Sequence, residues 1–246
     1  MPLFGTLDFS AALASAPTMP DLQTDALTLE RVDVLHVLFE IESGPMLDLL
    51  PPALHPTLPP TVSFWVWRAR GTDLGDFTLA QVRIGCRAGV RPRGYLLSSV
   101  CDDAGVATAL GERWGFRADP GTPVLRAFHD RVVATVERDG ATILDVSMLS
   151  PEAIGGGDIQ YVATMHLATT PMGPRLVQVD PDFTFHKADR GEPVLDVFDA
   201  EAFGDGRVVP SWPVSASATV ADITLPKLRY VSKPDVPALA GTEPVR

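Results

Sequence analysis

The sequence predicts a β-rich α+β fold, an antiparallel β-barrel with a few packed helices and an internal cavity. Three observations carry this. Runs of alternating, β-branched and aromatic residues recur from Arg31 to Val231. Stretches with the 3.6-residue period of a helix are few. Many antiparallel strands leave exposed edges unless the sheet closes, and a barrel of this size can enclose a small molecule.

The elements follow in order. Met1 to Leu29 is polar and weakly patterned, so residues 1–30 read as an arm packed on the body. Arg31 to Glu40 alternates as a strand. Pro45 to Leu50 reads as a short helix stopped by Pro51 and Pro52, and Pro51 to Pro60 as a rigid connector. Thr61 to Arg70 is a strand with Trp65 and Trp67 on one face, because side chains two apart share a face. Phe77 to Cys86 and Tyr95 to Cys101 are further strands. Ala104 to Trp114 is a helix with Val106, Ala107 and Leu110 on its apolar side and Gly115 as its stop.

Val124 to Leu149 holds three strands, two of them joined by an Arg138-Asp139-Gly140 turn. Gly155-Gly156-Gly157 reads as a flexible loop. Ile159 to Thr170 and Arg175 to His186 read as a hairpin around Pro171-Met172-Gly173-Pro174. Val194 to Phe203 reads as a helix, and Ser215 to Leu225 and Leu228 to Val231 as closing strands. The barrel domain is placed at residues 31–233, and Pro234 to Arg246 reads as a disordered tail.

Bulk properties restrict the partners. A net charge of −11 excludes the basic footprint that nucleic acid needs. Cys86 and Cys101 form no Cys-x-x-Cys pair, so reduced, buried thiols are expected. Met1 to Pro20 has neither a basic region nor an apolar run of signal-peptide type, and no run approaches 18 apolar residues. A soluble cytoplasmic protein is expected. His36, His55, His129, His166 and His186 show no metal-binding spacing, so no metal is expected. Gly155-Gly156-Gly157 lacks the Lys-Ser/Thr of a phosphate loop, and Ser98-Ser99 lacks the glycines of a nucleophile elbow.

The stretch Leu110-Gly111-Glu112-Arg113-Trp114-Gly115-Phe116-Arg117-Ala118-Asp119 resembles the signature of the acetoacetate decarboxylase family. That signature runs Gly-Arg-Glu, two residues, a small residue, an aromatic, then Pro-Lys-Lys. Glu112, Gly115 and Phe116 fit. The resemblance extends from about Val32 to Tyr230: Leu50-Pro51-Pro52-Ala53-Leu54 is similar to the family's Val-Pro-x-Pro-Leu step, and Gly94-Tyr95-Leu96 with Asp102 to its Gly-x-Tyr strand. Asp182-Phe183-Thr184-Phe185-His186 and Ala221-Asp222-Ile223-Thr224-Leu225-Pro226 are similar to its C-terminal strands. The resemblance implies an antiparallel barrel and a homo-oligomer.

It does not carry the family's chemistry. Acetoacetate decarboxylase is a standard example of a lysine nucleophile activated by a neighbouring cation. Ala118 and Asp119 stand where the resemblance places those two lysines, and Arg117 where it places proline. The two pocket glutamates fall on Trp65 and Leu79, and the pocket arginine near Val32, with Arg31 one place away. The chain's three lysines, Lys187, Lys227 and Lys233, all lie beyond His186 and read as solvated charges. Without an amine no imine forms.

A pocket bounded by Trp65, Leu79, Phe116, Arg117 and Ala118 would suit an apolar substrate, since uncompensated polar burial costs roughly 2–7 kcal/mol per group. Trp65 would stack on a conjugated substrate, or Trp65 and Trp67 merely fill the barrel. Asp119 is the candidate acid or base if its pocket is apolar, although Asp119-Pro120-Gly121 is also an ordinary turn. Glu112 is the second catalytic candidate or a brace for Arg113. Arg117 holds a substrate oxyanion or an exposed salt bridge.

The reading is a cofactor-independent cyclase, isomerase or lyase of secondary metabolism, acting on an apolar metabolite such as a polyketide-type intermediate. Proximity and orientation alone can supply roughly 7–11 kcal/mol of catalysis. The alternatives are a non-catalytic carrier of a hydrophobic ligand and an acid–base decarboxylase or hydro-lyase of a keto acid.

Overall fold

The computed structural model of the chain describes residues 3–245. Its first strands are β1 (Leu27–Ile41), β2 (His55–Pro56), β3 (Thr61–Thr72), β4 (Gly75–Ala88) and β5 (Arg91–Cys101). Then come β6 (Ala118–Pro120), β7 (Thr122–Ala127), β8 (Arg131–Arg138), β9 (Ala141–Ala153), β10 (Thr164–Thr170) and β11 (Gly173–Val179). The last are β12 (Asp182–Phe198), β13 (Pro210–Leu225), β14 (Tyr230–Ser232) and β15 (Thr242–Pro244). The helices are α1 (Ser10–Leu13), α2 (Ala104–Trp114) and α3 (Ala238–Gly241).

All the strands join one sheet, in the path β15-β14-β11-β10-β5-β4-β3-β1-β13-β12-β9-β8-β7, with β2 beside β4 and β6 beside β5. Among the described residues β7 and β15, its two ends, do not pair with each other. The fold is mostly β with few helices, as expected, but the sheet stays open where a barrel was expected. It manages its edges by curling, so that β7 comes to lie against β3, β4 and β5.

The curl buries the middle strands on both faces. One core layer sets Val37, Phe64, Val66, Ala80 and Val82 against Leu144, Val146 and Met148 of β9. The other sets Val34, Trp65, Trp67 and Leu79 against Leu110 and Trp114 of α2 and Val177 and Val179 of β11. Each such side chain contributes roughly 1.5–3 kcal/mol by leaving water.

Helix α2 has the limits the sequence predicts. Gly115 closes it in the left-handed region at φ 73°, where its N–H reaches the Gly111 carbonyl at 2.9 Å. Asp103 opens it by accepting the Val106 N–H at 2.8 Å. Asp103→Ala is therefore expected to cost about 1 kcal/mol, read as a lower midpoint of urea unfolding.

Several expectations are corrected. The first strand begins at Leu27, before Arg31, because a bulge hides the alternation: the register shifts between Leu29 and Val32, Arg31 takes φ 49°, and its N–H bonds the Asp222 carboxylate. Pro45 to Leu50 makes successive turns (Asp48 N to Pro45 O, Leu50 N to Leu47 O) and no helix. Arg175 to His186 is two strands, since Pro181 supplies no N–H to a ladder and Asp180 and Pro181 part β11 from β12. Ile159 to Ala163 lies outside the hairpin, and Gly156–Asp158 is a short 3-10 helix.

Val194 to Phe203 is no helix. Its first part continues β12, held by β9 through pairs such as Val194 with Ser147 and Phe198 with Leu144. The C-terminal segment is not a disordered tail. Thr242–Pro244 pairs with β14, the Ala53 N–H bonds the Pro234 carbonyl, and Ala238 is buried. The N-terminal arm packs on the body through buried Met19 and Leu22. Met1, Pro2 and Arg246 of these two segments lie outside the described residues.

Candidate functional site

Strand register brings the centre of the site together. Ser217 pairs with His36, His36 with Trp65, Trp65 with Gln81, Gln81 with Ser99, and Ser99 with Ala118. Partners across a ladder share a face, so these six side chains form one rung across β13, β1, β3, β4, β5 and β6. Ala118, which stands at the resemblance's nucleophile position, thus lines up with an amide, an indole and an imidazole. Leu79 lies one rung away on the same face, paired with Trp67 and Cys101.

Trp65, Gln81 and Ser99 have no accessible surface. The Trp65 indole N–H donates to Ser63 Oγ at 3.1 Å, and its ring lies 4.3 Å from the His36 ring and 4.5 Å from Tyr161. Tyr161 covers the rung from the segment before β10. Its hydroxyl lies 3.2 Å from Ser217 Oγ and 3.3 Å from Thr219 Oγ1. Phe183 packs at its flank.

Arg83 enters from the next rung. Its side chain is 1% exposed, and its guanidinium lies 4.3 Å from the Trp65 ring and 5.9 Å from that of Trp67. Its Nε and Nη2 both donate to Gln81 Oε1, at 3.1 and 2.6 Å. No described carboxylate pairs with it. Gly94 leaves its path open, since a Cβ there would stand 3.2 Å from Arg83 Cδ. Burial pushes the guanidinium pKa down to about 9.

Two imidazoles share this interior. His36 is half-buried; burial first, and the Arg83 charge second, push its pKa down to about 3, so it is neutral. It makes no hydrogen bond with any described residue. His166 is also held near 3, mainly by burial, but its Nδ1 lies 2.7 Å from the Trp114 carbonyl and its Nε2 bonds Thr164. His166 is a satisfied structural histidine, whereas His36 has both nitrogens available.

The other predicted residues gather outside. Glu112, Phe116, Arg117, Ala118 and Asp119 line a groove of about 520 Å³ between α2, β6 and the N-terminal arm. Glu112 is exposed at its rim. Asp119 faces away from the rung, accepting from Ser98 at 3.4 Å and facing Arg138 at 3.6 Å, and its side chain is 37% exposed. Arg117 holds β5 through its own carbonyl, which bonds the Ser99 N–H and hydroxyl. Phe116 reaches inward, 4.3 Å from His166 and 6.1 Å from Trp67. Lys187, Lys227 and Lys233 are exposed and face Asp189, Asp25 and Glu243.

With this geometry in place, comparison with known families matches residues 12–172 to acetoacetate decarboxylase. The chain belongs to the acetoacetate decarboxylase family. Among solved structures, an acetoacetate decarboxylase is 21% identical, with 87% of this chain and 90% of that one covered and a TM-score of 0.73. The acetoacetate decarboxylase of Legionella pneumophila is 19% identical, covering 87% and 88%, with a TM-score of 0.69. The enduracididine biosynthesis enzyme MppR, complexed with pyruvate, is 18% identical, covering 87% and 97%, with a TM-score of 0.66. No curated protein matches the chain significantly. At these identities the solved structures establish the acetoacetate decarboxylase-like fold.

Sequence reasoning missed His36, Gln81, Arg83 and Tyr161. One signal was present. The run Val62 to Trp67 is apolar at nearly every position, which marks a strand buried on both faces. Polar residues on its neighbours then point inward.

Proposed function

We propose that this family member is a cofactor-independent enzyme without Schiff-base chemistry: a cyclase, isomerase or lyase of a small, largely apolar metabolite such as a polyketide-type intermediate. The rung from His36 to Ala118 carries this reading, because it places a methyl group where an amine would be needed and a free imidazole on the same face. Trp65 and Tyr161 form the walls for the substrate body. Leu79 and Phe116 complete the apolar lining. His36, neutral at physiological pH and unbonded to protein, takes a proton from a carbon next to a carbonyl and returns it elsewhere on the bound molecule. Water exclusion and a fixed substrate pose supply the rest.

We assign Glu112, Asp119 and Arg117 to the outer groove through which substrate approaches, which Ala118 also borders where β6 joins the rung. Free, buried Cys86 and Cys101 support a reducing, cytoplasmic setting. Among the described residues no helix is long and apolar enough to cross a membrane. Trp212, 71% exposed, and Val214 beside it on β13 support a homo-oligomer.

Two measurements test the catalytic reading. Borohydride added with a ketone is expected to leave the protein mass unchanged; a lysine adduct would overturn the reading. Deuterium exchange into aryl methyl ketones, neutral and carboxylated (acetophenone and 4-acetylbenzoate), is expected to be accelerated. His36→Phe should lower that rate by about 10²–10⁴-fold, while Asp119→Asn and Glu112→Gln leave it in place. Equal exchange by wild type and His36→Phe sinks the role of His36. No exchange with any ketone, together with a bound metabolite recovered unchanged, would point to a carrier.

A further inference from the structure

We infer that the interior holds a built subsite for one carboxylate, formed by Arg83, Gln81 and Trp67. The inference rests on the interior being the substrate site. Its observations are independent of any reaction.

Gln81 Nε2 and Trp67 Nε1 are fully buried and have no hydrogen-bond partner. Arg83 Nη1 has none among the described residues either, since the guanidinium bonds only Gln81 Oε1. These three groups are linked in space: Arg83 is bonded to Gln81, and its guanidinium stands 5.9 Å from the Trp67 ring. Every open position is an N–H donor, and no acceptor faces them. Turning the Gln81 amide over would not help, because its oxygen already serves Arg83.

Buried polar groups are almost always paired, so two buried orphan donors flanking a guanidinium that has no counter-ion mark a missing acceptor. Water offers acceptor lone pairs but no charge, and the guanidinium is the one buried cation without a counter-ion at the site. The titratable neighbours that face it, His36 and His166, are imidazoles and supply no negative charge. A single planar monoanion satisfies all the donors: one oxygen on Arg83 Nη1, the other shared by Gln81 Nε2 and Trp67 Nε1. Trp65 stacks beneath the guanidinium and offers its flank to an aromatic or conjugated body attached to that carboxylate. The substrate class is therefore an aromatic or conjugated monocarboxylic acid rather than a neutral apolar compound.

Binding tests this without turnover. Titrating benzoate into the full chain, followed by tryptophan fluorescence and calorimetry, is expected to give saturable 1:1 binding. Benzamide, of the same shape without charge, should bind at least tenfold more weakly, and acetate more weakly than benzoate. Arg83→Met should lower benzoate affinity at least thirtyfold and Gln81→Leu by a smaller factor, with Arg138→Gln as the unaffected control. The inference is overturned if wild type does not bind benzoate, if Arg83→Met binds it equally, or if benzamide or the phosphate dianion binds as tightly. Benzoate bound through Arg83 with no ketone exchange keeps the subsite and removes the catalytic reading. Exchange through His36 with benzoate indifferent to Arg83 does the reverse.

Discussion

Acidification from pH 6.5 towards pH 3 is expected to destabilise and unfold the protein, chiefly through His166 and His36. Both are held near pKa 3 in the fold, against about 6.5 in the unfolded chain. Over that interval the unfolded state binds the protons, so stability is complete above pH 6.5 and is lost as pH falls towards 3. His166, which has no accessible surface, contributes about 1.4 kcal/mol per pH unit across the window. The half-buried His36 contributes less because solvent screens it, so the pair reaches more than about 5 kcal/mol at its lower end. That matches the whole stability of a typical domain, about 5–15 kcal/mol, so unfolding should come well before pH 3. Asp222, held below its usual range by the Arg31 N–H and by His186, acts in the same direction. Asp145, raised by burial and by Asp196, opposes them. The check is the midpoint of urea unfolding measured against pH. His166→Gln should remove the larger part of the slope and His36→Phe a smaller part, and a flat profile between pH 6.5 and 4.5 would contradict the neutral state of both rings.

Why these histidines and Arg83 escaped sequence reading is a matter of strand geometry. Alternation separates two faces of a strand and cannot say whether the second face meets water or another layer. In β4 the order Leu79, Ala80, Gln81, Val82, Arg83 reads as polar out and apolar in, whereas curling of the sheet puts a core on each side. Local signals survived: the α2 limits with Gly115, the shared face of Trp65 and Trp67, and the Arg138 to Gly140 turn, where Asp139 and Gly140 both take positive φ. Features that depend on distant pairing were misread. The second half of β12 spaces its apolar residues as a helix would and is a strand only because β9 lies beside it. The segment after Pro234 is polar and proline-bounded, yet β14 holds it. The family signature located the groove and Ala118, whereas the interior residues came into view only with the strand register.

Replacing Arg83 with methionine is expected to stabilise the unliganded protein. A large buried side chain is normally costly to alter, but this one carries a charge with no counter-ion. The fall of its pKa from 12.5 to about 9 corresponds to roughly 5 kcal/mol against the charged form at neutral pH. Set against it are the stacking on Trp65, about 0.5–2 kcal/mol, and the Gln81 oxygen left without its donor, about 1–3 kcal/mol. Methionine fills much of the same space and is itself polarizable. The balance favours the variant by about 2 kcal/mol, a rise in Tm of roughly 4–8 °C for a chain of this size. Gln81→Leu added to it removes the orphan oxygen and should raise Tm further. A variant less stable than wild type by the 2–5 kcal/mol of ordinary core truncation would mean that the guanidinium is satisfied without a ligand. A more stable variant that no longer binds benzoate would show stability given up for recognition, which is how binding sites usually depart from the best-packed core.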